Sequence, residues 1–229
     1  MTFILLPVVL TVIVVFGLRL LRRGADVVAL VAMLSWAAVV SSLAQGGVLA
    51  KFDVMPPKLP LVAISAVGLA LLVGRVGVVK EALRAMPDWW AVALQTFRFP
   101  LELGLYGLFA AGQLPEQMTF AGQNFDVLVG LTAPLAAYFI ATKQLPRWAQ
   151  WAWQAFAIAL LVNVLRIAIT SAPGPLHASW PGAPLTIVAQ WPYALLPGFL
   201  VPLAVLGHVV AISKLLQRKD ASAQPLRGS

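Results

Sequence analysis

Residues 2–20 have the sequence TFILLPVVLTVIVVFGLRL, in which Arg19 is the first charged side chain. A bilayer core about 30 Å thick needs roughly 20 apolar residues in a helix, so this stretch alone is long enough to cross it. Six stretches of similar length follow, and the predicted spans are residues 2–20, 25–44, 59–79, 89–112, 125–142, 149–171 and 185–213. The sequence therefore predicts an all-α, polytopic transmembrane helical bundle of about seven spans.

The composition agrees with this prediction. Of the 229 residues 61% are hydrophobic and only 10% are charged, and a water-soluble core of this size cannot hide so much apolar surface. No linker or change of composition divides the chain, so a single transmembrane domain is predicted over residues 1–215. Residues 216–229 are rich in polar and charged side chains, and we expect a short, disordered cytoplasmic tail there.

The basic residues predict the orientation, because Lys and Arg in short loops are retained on the cytoplasmic side. Only Lys51 and Lys58 fall on one side of the predicted spans. The other side holds Arg19, Arg22, Arg23, Arg75, Lys80, Arg84, Lys143, Arg147, Lys214, Arg218, Lys219 and Arg227. The predicted topology therefore has the N-terminus outside and the C-terminus in the cytoplasm.

The fourth span contains Gln95, Arg98 and Glu102 at spacings of three and four residues. Ionisable groups in hydrocarbon cost roughly 2.5 to 3.5 kcal/mol each on insertion scales, so each of them needs a partner or a wet cavity. Arg98 and Glu102 are spaced to pair within the helix. Pro100 lies between them and lacks an N–H, so we expect an opened turn at this point.

Further polar groups fall in the same depth band, from the midplane to the outer leaflet. Asn163 and Arg166 share one face of the sixth span, and Gln190 lies in a seventh span that is interrupted by prolines. An outer loop carries Glu116 and Asp126. Its Gly122 is expected to supply a turn with positive φ, and Thr119 or Asn124 is a candidate cap for the fifth span.

The ligand-binding candidates are therefore Arg98, Glu102, Asn163, Arg166, Gln190, Glu116 and Asp126, and the sequence identifies no catalytic residue. Cofactors and metals are not expected. The chain has no cysteine, and its two histidines, His177 and His208, are predicted on opposite sides of the membrane, so they cannot share one haem. We read both as structural, and no nucleic-acid partner is expected because the basic residues follow the membrane topology.

Asn163-Val164-Leu165-Arg166-Ile167, preceded by a loop in which Gly122 opens a helix, resembles the exosortase and archaeosortase family of membrane transpeptidases. The resemblance covers residues 119–167 and implies outer-leaflet chemistry, with Arg166 as the position that carries over. That family uses a Cys nucleophile with Arg and His partners, whereas this chain has Phe120 two residues before Gly122 and no Cys. The chain is otherwise similar to small bacterial multi-pass membrane proteins, which implies the bacterial inner membrane.

Three hypotheses remain open at this point. The leading one is non-enzymatic: an outward-facing polar pocket binds or transports an anionic or zwitterionic small molecule or lipid headgroup. The second is an outer-leaflet membrane enzyme with Glu102, Glu116 or Asp126 as general acid or base. The third is a non-catalytic assembly subunit, in which the polar groups join helices and an apolar face binds a membrane protein partner.

Overall fold

A computed structural model describes residues 2–223, with side-chain positions through residue 217. Within this range the chain is all-helical and contains no strand, which confirms the predicted all-α class. The described residues form nine α-helices in chain order: α1 (Thr2–Leu21), α2 (Ala25–Gln45), α3 (Lys58–Val73), α4 (Gly77–Ala85), α5 (Trp90–Leu94), α6 (Arg98–Ala110), α7 (Val127–Ala141), α8 (Arg147–Ser171) and α9 (Val201–Ala223).

Four helical segments in the described part of the chain are long and apolar enough to cross a membrane, or five if one bent pair counts as a single span. They include α1, α2 and α8, whose bounds agree with the predicted spans to within two residues. Gly24 adopts a φ of 94° in the tight connection between α1 and α2, where its backbone N–H donates to Asp26 Oδ1 at 2.9 Å. Glycine tolerates this left-handed conformation because it has no Cβ.

The third predicted span, residues 59–79, is wrong at its end because the helix bends. α3 stops at Val73, and α4 continues at 88° to it after a break bordered by Gly74 and Gly77. Val79 and Ala82 of α4 are buried, while Lys80 is exposed. α4 therefore lies across the end of the bundle as an amphipathic helix, and its Glu81 pairs with Arg22 at 2.8 Å.

The fourth predicted span is a helix with a local irregularity at the expected place. α5 passes into a 3₁₀ turn at Gln95–Phe97, and α6 then begins at Arg98. Pro100 cannot donate to the carbonyl of Thr96, which removes one α-helical hydrogen bond at this turn. The expected opened turn is thus present, directly before the charged residues of α6.

The last segment becomes a continuous helix later than predicted. Residues 187–189 form a 3₁₀ turn, Leu196–Leu200 form a π-helical turn, and only then does α9 begin. The prediction of a span from residue 185 is therefore wrong for its first eleven residues, where Pro192 interrupts helical hydrogen bonding. α9 continues to Ala223, past the predicted domain end at 215, and residues 224–229 of the predicted tail lie outside the described residues.

The centre of the bundle forms where α6, α7, α8 and α9 meet. α7 approaches the start of α6 so closely that a Cβ added at Gly130 would lie 2.7 Å from the Cα of Phe99. Such contact is open only to glycine, because any side chain would collide with backbone. Arg98, next to Phe99, and Asp126, one turn before Gly130, are thereby brought to one place.

Candidate functional site

The centre of the bundle contains a cluster of polar side chains, which we call the inner cluster. Its members come from α6, the outer loop, α8 and α9, and each is at most 5% exposed. They are Arg98, Glu102, Asn124, Asp126, Gln154 and His208. Polar groups buried this deeply are stable only where hydrogen bonds replace their hydration.

Arg98 is the hub of the inner cluster. Its Nη1 lies 2.8 Å from Asp126 Oδ1 and 3.4 Å from the carbonyl oxygen of Ala157. Its Nη2 lies 3.0 Å from His208 Nε2. A guanidinium can only donate, so His208 Nε2 must accept and carries no proton in this arrangement.

The second ring nitrogen of His208 completes the chain of hydrogen bonds. Nδ1 lies 2.7 Å from Gln154 Oε1, and since an amide oxygen only accepts, Nδ1 is the donor. His208 is therefore the neutral tautomer with its proton on Nδ1. The expected structural role of His208 is consistent with this geometry, although its contact with Arg98 was not predicted.

Glu102 does not pair with Arg98 within the helix, as the i,i+4 spacing suggested. Its two carboxylate oxygens accept hydrogen bonds from Asn124 Nδ2 at 2.8 and 3.0 Å. The same amide group donates to the carbonyl oxygen of Met118 at 3.0 Å. Arg98 instead reaches across the bundle to Asp126, because a carboxylate at the start of α7 gives it an ion pair that is itself buried.

The inner cluster borders a small cavity of about 80 Å³. Arg98, Glu102 and Asp126 supply its charged lining, and the remaining lining residues are apolar. The cavity is thus lined by one guanidinium and two carboxylates, and its other lining residues offer no polar side chain. Such a site can polarise a bound group or exchange a proton, and it excludes bulky hydrated ligands by size.

The outer loop is held against the bundle by its own backbone and by Asn124. Asn124 Oδ1 accepts the backbone N–H of Asp126 at 3.1 Å, just before α7 begins. The predicted cap by Thr119 or Asn124 is wrong, because Asp126 occupies the cap position and makes no side-chain cap hydrogen bond. Gln117 Nε2 donates to Ser171 Oγ at 3.1 Å. The expectation of a positive φ at Gly122 is wrong. Glycine is required there because a Cβ would lie 2.7 Å from the Cα of Gln117.

A second group of polar side chains, the outer cluster, lies on the neighbouring surface of α8. Arg166 Nη2 donates to Asn163 Oδ1 at 3.0 Å and to Gln123 Oε1 at 3.4 Å. Asn163 Nδ2 donates to the carbonyl oxygen of Gln123 at 2.8 Å. The Arg166 guanidinium carbon is 6.0 Å from the ring centre of Trp180, whose Nε1 donates to Thr170 Oγ1 at 3.0 Å. These five residues define the outer cluster.

The two clusters are joined by adjacent residues of one loop, with Gln123 contacting Arg166 and Asn124 contacting Glu102. They differ in charge balance. Arg98 has a carboxylate at 2.8 Å, whereas no carboxylate lies within ion-pair distance of Arg166 among residues 2–217.

A model of the family described as a domain of unknown function, DUF8737, matches residues 56–216. The chain belongs to this family. The matched range contains every member of the inner and outer clusters, and it leaves out α1 and α2. No significant match was found among curated proteins or among solved structures.

Within the DUF8737 range the predicted site residues separate into three groups. Arg98, Glu102 and Asp126 meet in the inner cluster, and Asn163 and Arg166 meet in the outer cluster. The side chains of Glu116 and Gln190 are exposed and belong to neither cluster.

Sequence reasoning missed several members of the clusters. Gln123 and Trp180 were not singled out, and Gln154 carried a signal that went unused. The buried residues Gln150, Gln154, Ala157 and Leu161 follow one another at helical spacing. A glutamine within such an inward stripe indicates a buried polar contact.

Proposed function

We propose that this protein is a seven-span inner-membrane protein, with its N-terminus outside and its C-terminus in the cytoplasm, that binds an anionic or zwitterionic headgroup at its outer face. The binding group is Arg166, assisted by Asn163 and Trp180. The distribution of Lys and Arg supports the topology. The amphipathic α4, which carries Lys80 and Arg84, suits the cytoplasmic surface in the same frame.

The observation that carries the proposal is the unused capacity of Arg166. Both of its side-chain hydrogen bonds come from Nη2, to Asn163 and Gln123. A guanidinium has five N–H donors, so Nη1 and Nε are left to face a ligand within the described part of the chain. An arginine without a counter-ion at a membrane surface is well suited to a phosphate or carboxylate, which it can bind with two parallel hydrogen bonds.

The neighbours of Arg166 support the same role. The Arg166 guanidinium lies over the face of Trp180, and the same ring face also suits a cationic methylammonium group of a zwitterionic ligand. The hydrogen bond from Arg166 Nη2 to Gln123 Oε1 is long, at 3.4 Å. An anion that binds Arg166 would therefore replace only a weak hydrogen bond. The inner cluster fixes the loop that carries Gln123, and its role in this proposal is to position that loop.

The test uses soluble headgroup analogues and protein purified in a neutral detergent. Thermal stability is measured against inorganic phosphate, glycerol phosphate and phosphocholine at constant ionic strength. We expect at least one analogue to stabilise the native protein and Arg166→Gln to abolish that stabilisation. The matched control is Arg75→Gln, which removes an exposed arginine from the opposite end of the bundle.

A stabilisation that survives in Arg166→Gln would overturn the proposal, as would the absence of any stabilisation. The mutually paired inner cluster would then favour the assembly-subunit hypothesis, with a membrane protein as the partner.

A second candidate, an outer-leaflet enzyme, is favoured by one observation. Glu102, Asp126 and Arg98 line the same 80 Å³ cavity, which is the convergence that acid–base chemistry requires. The resemblance to exosortases and archaeosortases supports this candidate only through Arg166, which lies outside that cavity.

The enzyme candidate requires water and substrate to reach the cavity. Because the chain has no native cysteine, single-cysteine variants report access cleanly. Val164 lines the cavity, whereas Val162, two residues earlier, is 58% exposed on the outside of α8. If a membrane-impermeant maleimide labels Val164→Cys but not Val162→Cys in intact cells, the enzyme candidate is supported. An unlabelled Val164→Cys would rule it out.

A further inference from the structure

A groove of about 400 Å³ lies between α3, α8 and the last helix, near the outer loops. Its walls are apolar and include Ala63 of α3, Ala168 of α8, Ala172 directly after α8, and Val205 of α9. The charged residues at its lining are Lys51 and Lys58. This groove is separate from the outer cluster, because none of the five residues of that cluster lines it.

The two lysines have no structural explanation within the fold. Neither forms an ion pair among the described residues, although Asp53 lies in the same loop. Lys58 is the first residue of α3, where a positive charge opposes the helix dipole. In the proposed topology these are also the two basic residues of the outer loops, on the side where lysine is disfavoured.

The groove opens toward the surface that faces the bilayer. Ile64 and Ile169 belong to its lining and are 67% and 38% exposed, so its edge continues into the apolar outer surface of the bundle. A volume of about 400 Å³ lies within the usual range of small-molecule sites, about 300–1,000 Å³. A flexible hydrocarbon chain fits a space of this shape and polarity.

We infer that this groove is a binding site for an anionic lipid, whose acyl chain lies between α3 and α8 and whose headgroup contacts Lys51 and Lys58. The acyl chain alone gives no selectivity among lipids, because the bilayer that it leaves is as apolar as the groove that it enters. Selectivity must therefore come from the headgroup. A lysine near an anionic surface contributes about five-fold in affinity, so the pair favours anionic over zwitterionic lipid by up to about 25-fold.

The inference rests on the proposed topology but not on the Arg166 site. Lipid binding is measured by native mass spectrometry of the full chain released from neutral detergent, with phosphatidylglycerol and phosphatidylcholine of identical chains as probes. We expect the native protein to retain phosphatidylglycerol preferentially. In an Arg166→Gln background, which removes the headgroup site proposed above, the double variant Lys51→Gln/Lys58→Gln should lose that preference, whereas Lys80→Gln on α4 should keep it.

The groove itself is tested by filling it. Ala63→Trp should weaken binding of phosphatidylglycerol, whereas Ala38→Trp, at an exposed position of α2 outside the groove, should not. Ala172→Leu serves the same purpose if Ala63→Trp does not fold. Equal retention of the two lipids by the native protein would overturn the inference, and so would selectivity that survives either the lysine or the filling substitutions. A dimer that Ala63→Trp dissociates would identify a second copy as the occupant and would also overturn it.

Discussion

Two arginines of this bundle, Arg98 and Arg166, occupy opposite environments. Arg98 is 1% exposed and has Asp126, His208 and a backbone carbonyl as partners. Arg166 is exposed, donates its side-chain hydrogen bonds to two amide oxygens among the described residues, and has an indole ring 6.0 Å away. A buried guanidinium that is paired with a carboxylate supports the fold, whereas one without a counter-ion is available to a ligand. The contacts of each arginine, and not the residue type, therefore distinguish a structural role from a ligand-binding role in this protein.

Removing the buried arginine should have the largest effect. Arg98→Met leaves the Asp126 carboxylate buried without its cation, and we expect the free energy of unfolding to fall by about 3–5 kcal/mol. Equilibrium denaturation of the purified protein in detergent measures this loss. The double variant Arg98→Met/Asp126→Leu should recover part of it, since both charges are then absent. An unchanged stability in Arg98→Met would remove the basis for the comparison.

Asn124→Ala should have the next largest effect on stability, because it removes the side chain that links the two clusters. Glu102 loses the donor that contacts both of its oxygens, and we expect a loss of about 1.5–3 kcal/mol in the free energy of unfolding. Binding of headgroup analogues should weaken as well, since Gln123 is no longer held beside Arg166. Asn163→Ala is the control, expected to weaken binding with little change in stability. Normal analogue binding by Asn124→Ala would show that the clusters are independent.

Gly130→Ala tests whether the close approach of α7 to α6 assembles the inner cluster. The added methyl group would meet the Phe99 backbone, and overpacking of this kind costs about 1–3 kcal/mol. Gly107→Ala on α6 is the matched control, since a Cβ there has open space and alanine favours helix by about 0.5–1 kcal/mol. Thermal melting of the two variants should therefore shift in opposite directions. Equal shifts would contradict the packing described at Gly130.

The smallest effect on stability is expected for Arg166→Gln. Exposed substitutions usually change stability by less than about 0.5 kcal/mol, and this arginine has no ion pair to lose within the described residues. Equilibrium denaturation of Arg166→Gln and of Arg98→Met gives the two free energies of unfolding to be compared. A loss as large as that of Arg98→Met would show that Arg166 also serves the fold, and it would weaken the proposal for ligand binding.

The long helices α1, α2 and α8 were predictable because an unbroken apolar run near the length of a bilayer has few alternatives. The bend between α3 and α4 was less visible, because Gly74 and Gly77 interrupt a sequence that remains largely apolar. The late start of the last helix shows the same limit. Prolines indicate that a helix is interrupted, but they do not predict on which side of the interruption the chain is helical.

The sequence by itself determined the all-α class, the lengths of α1, α2 and α8, and the placing of Arg98, Glu102, Asn163 and Arg166 within helices. These properties depend on local hydrophobicity and periodicity, which the order of residues contains directly. Only the tertiary structure decided that Arg98 pairs with Asp126 and that Glu102 accepts hydrogen bonds from Asn124. It also decided that Arg166 lies outside the inner cluster. Partner choice depends on which helices are neighbours and on contacts such as that of Gly130 with Phe99, and residues distant in the chain meet only when the bundle packs.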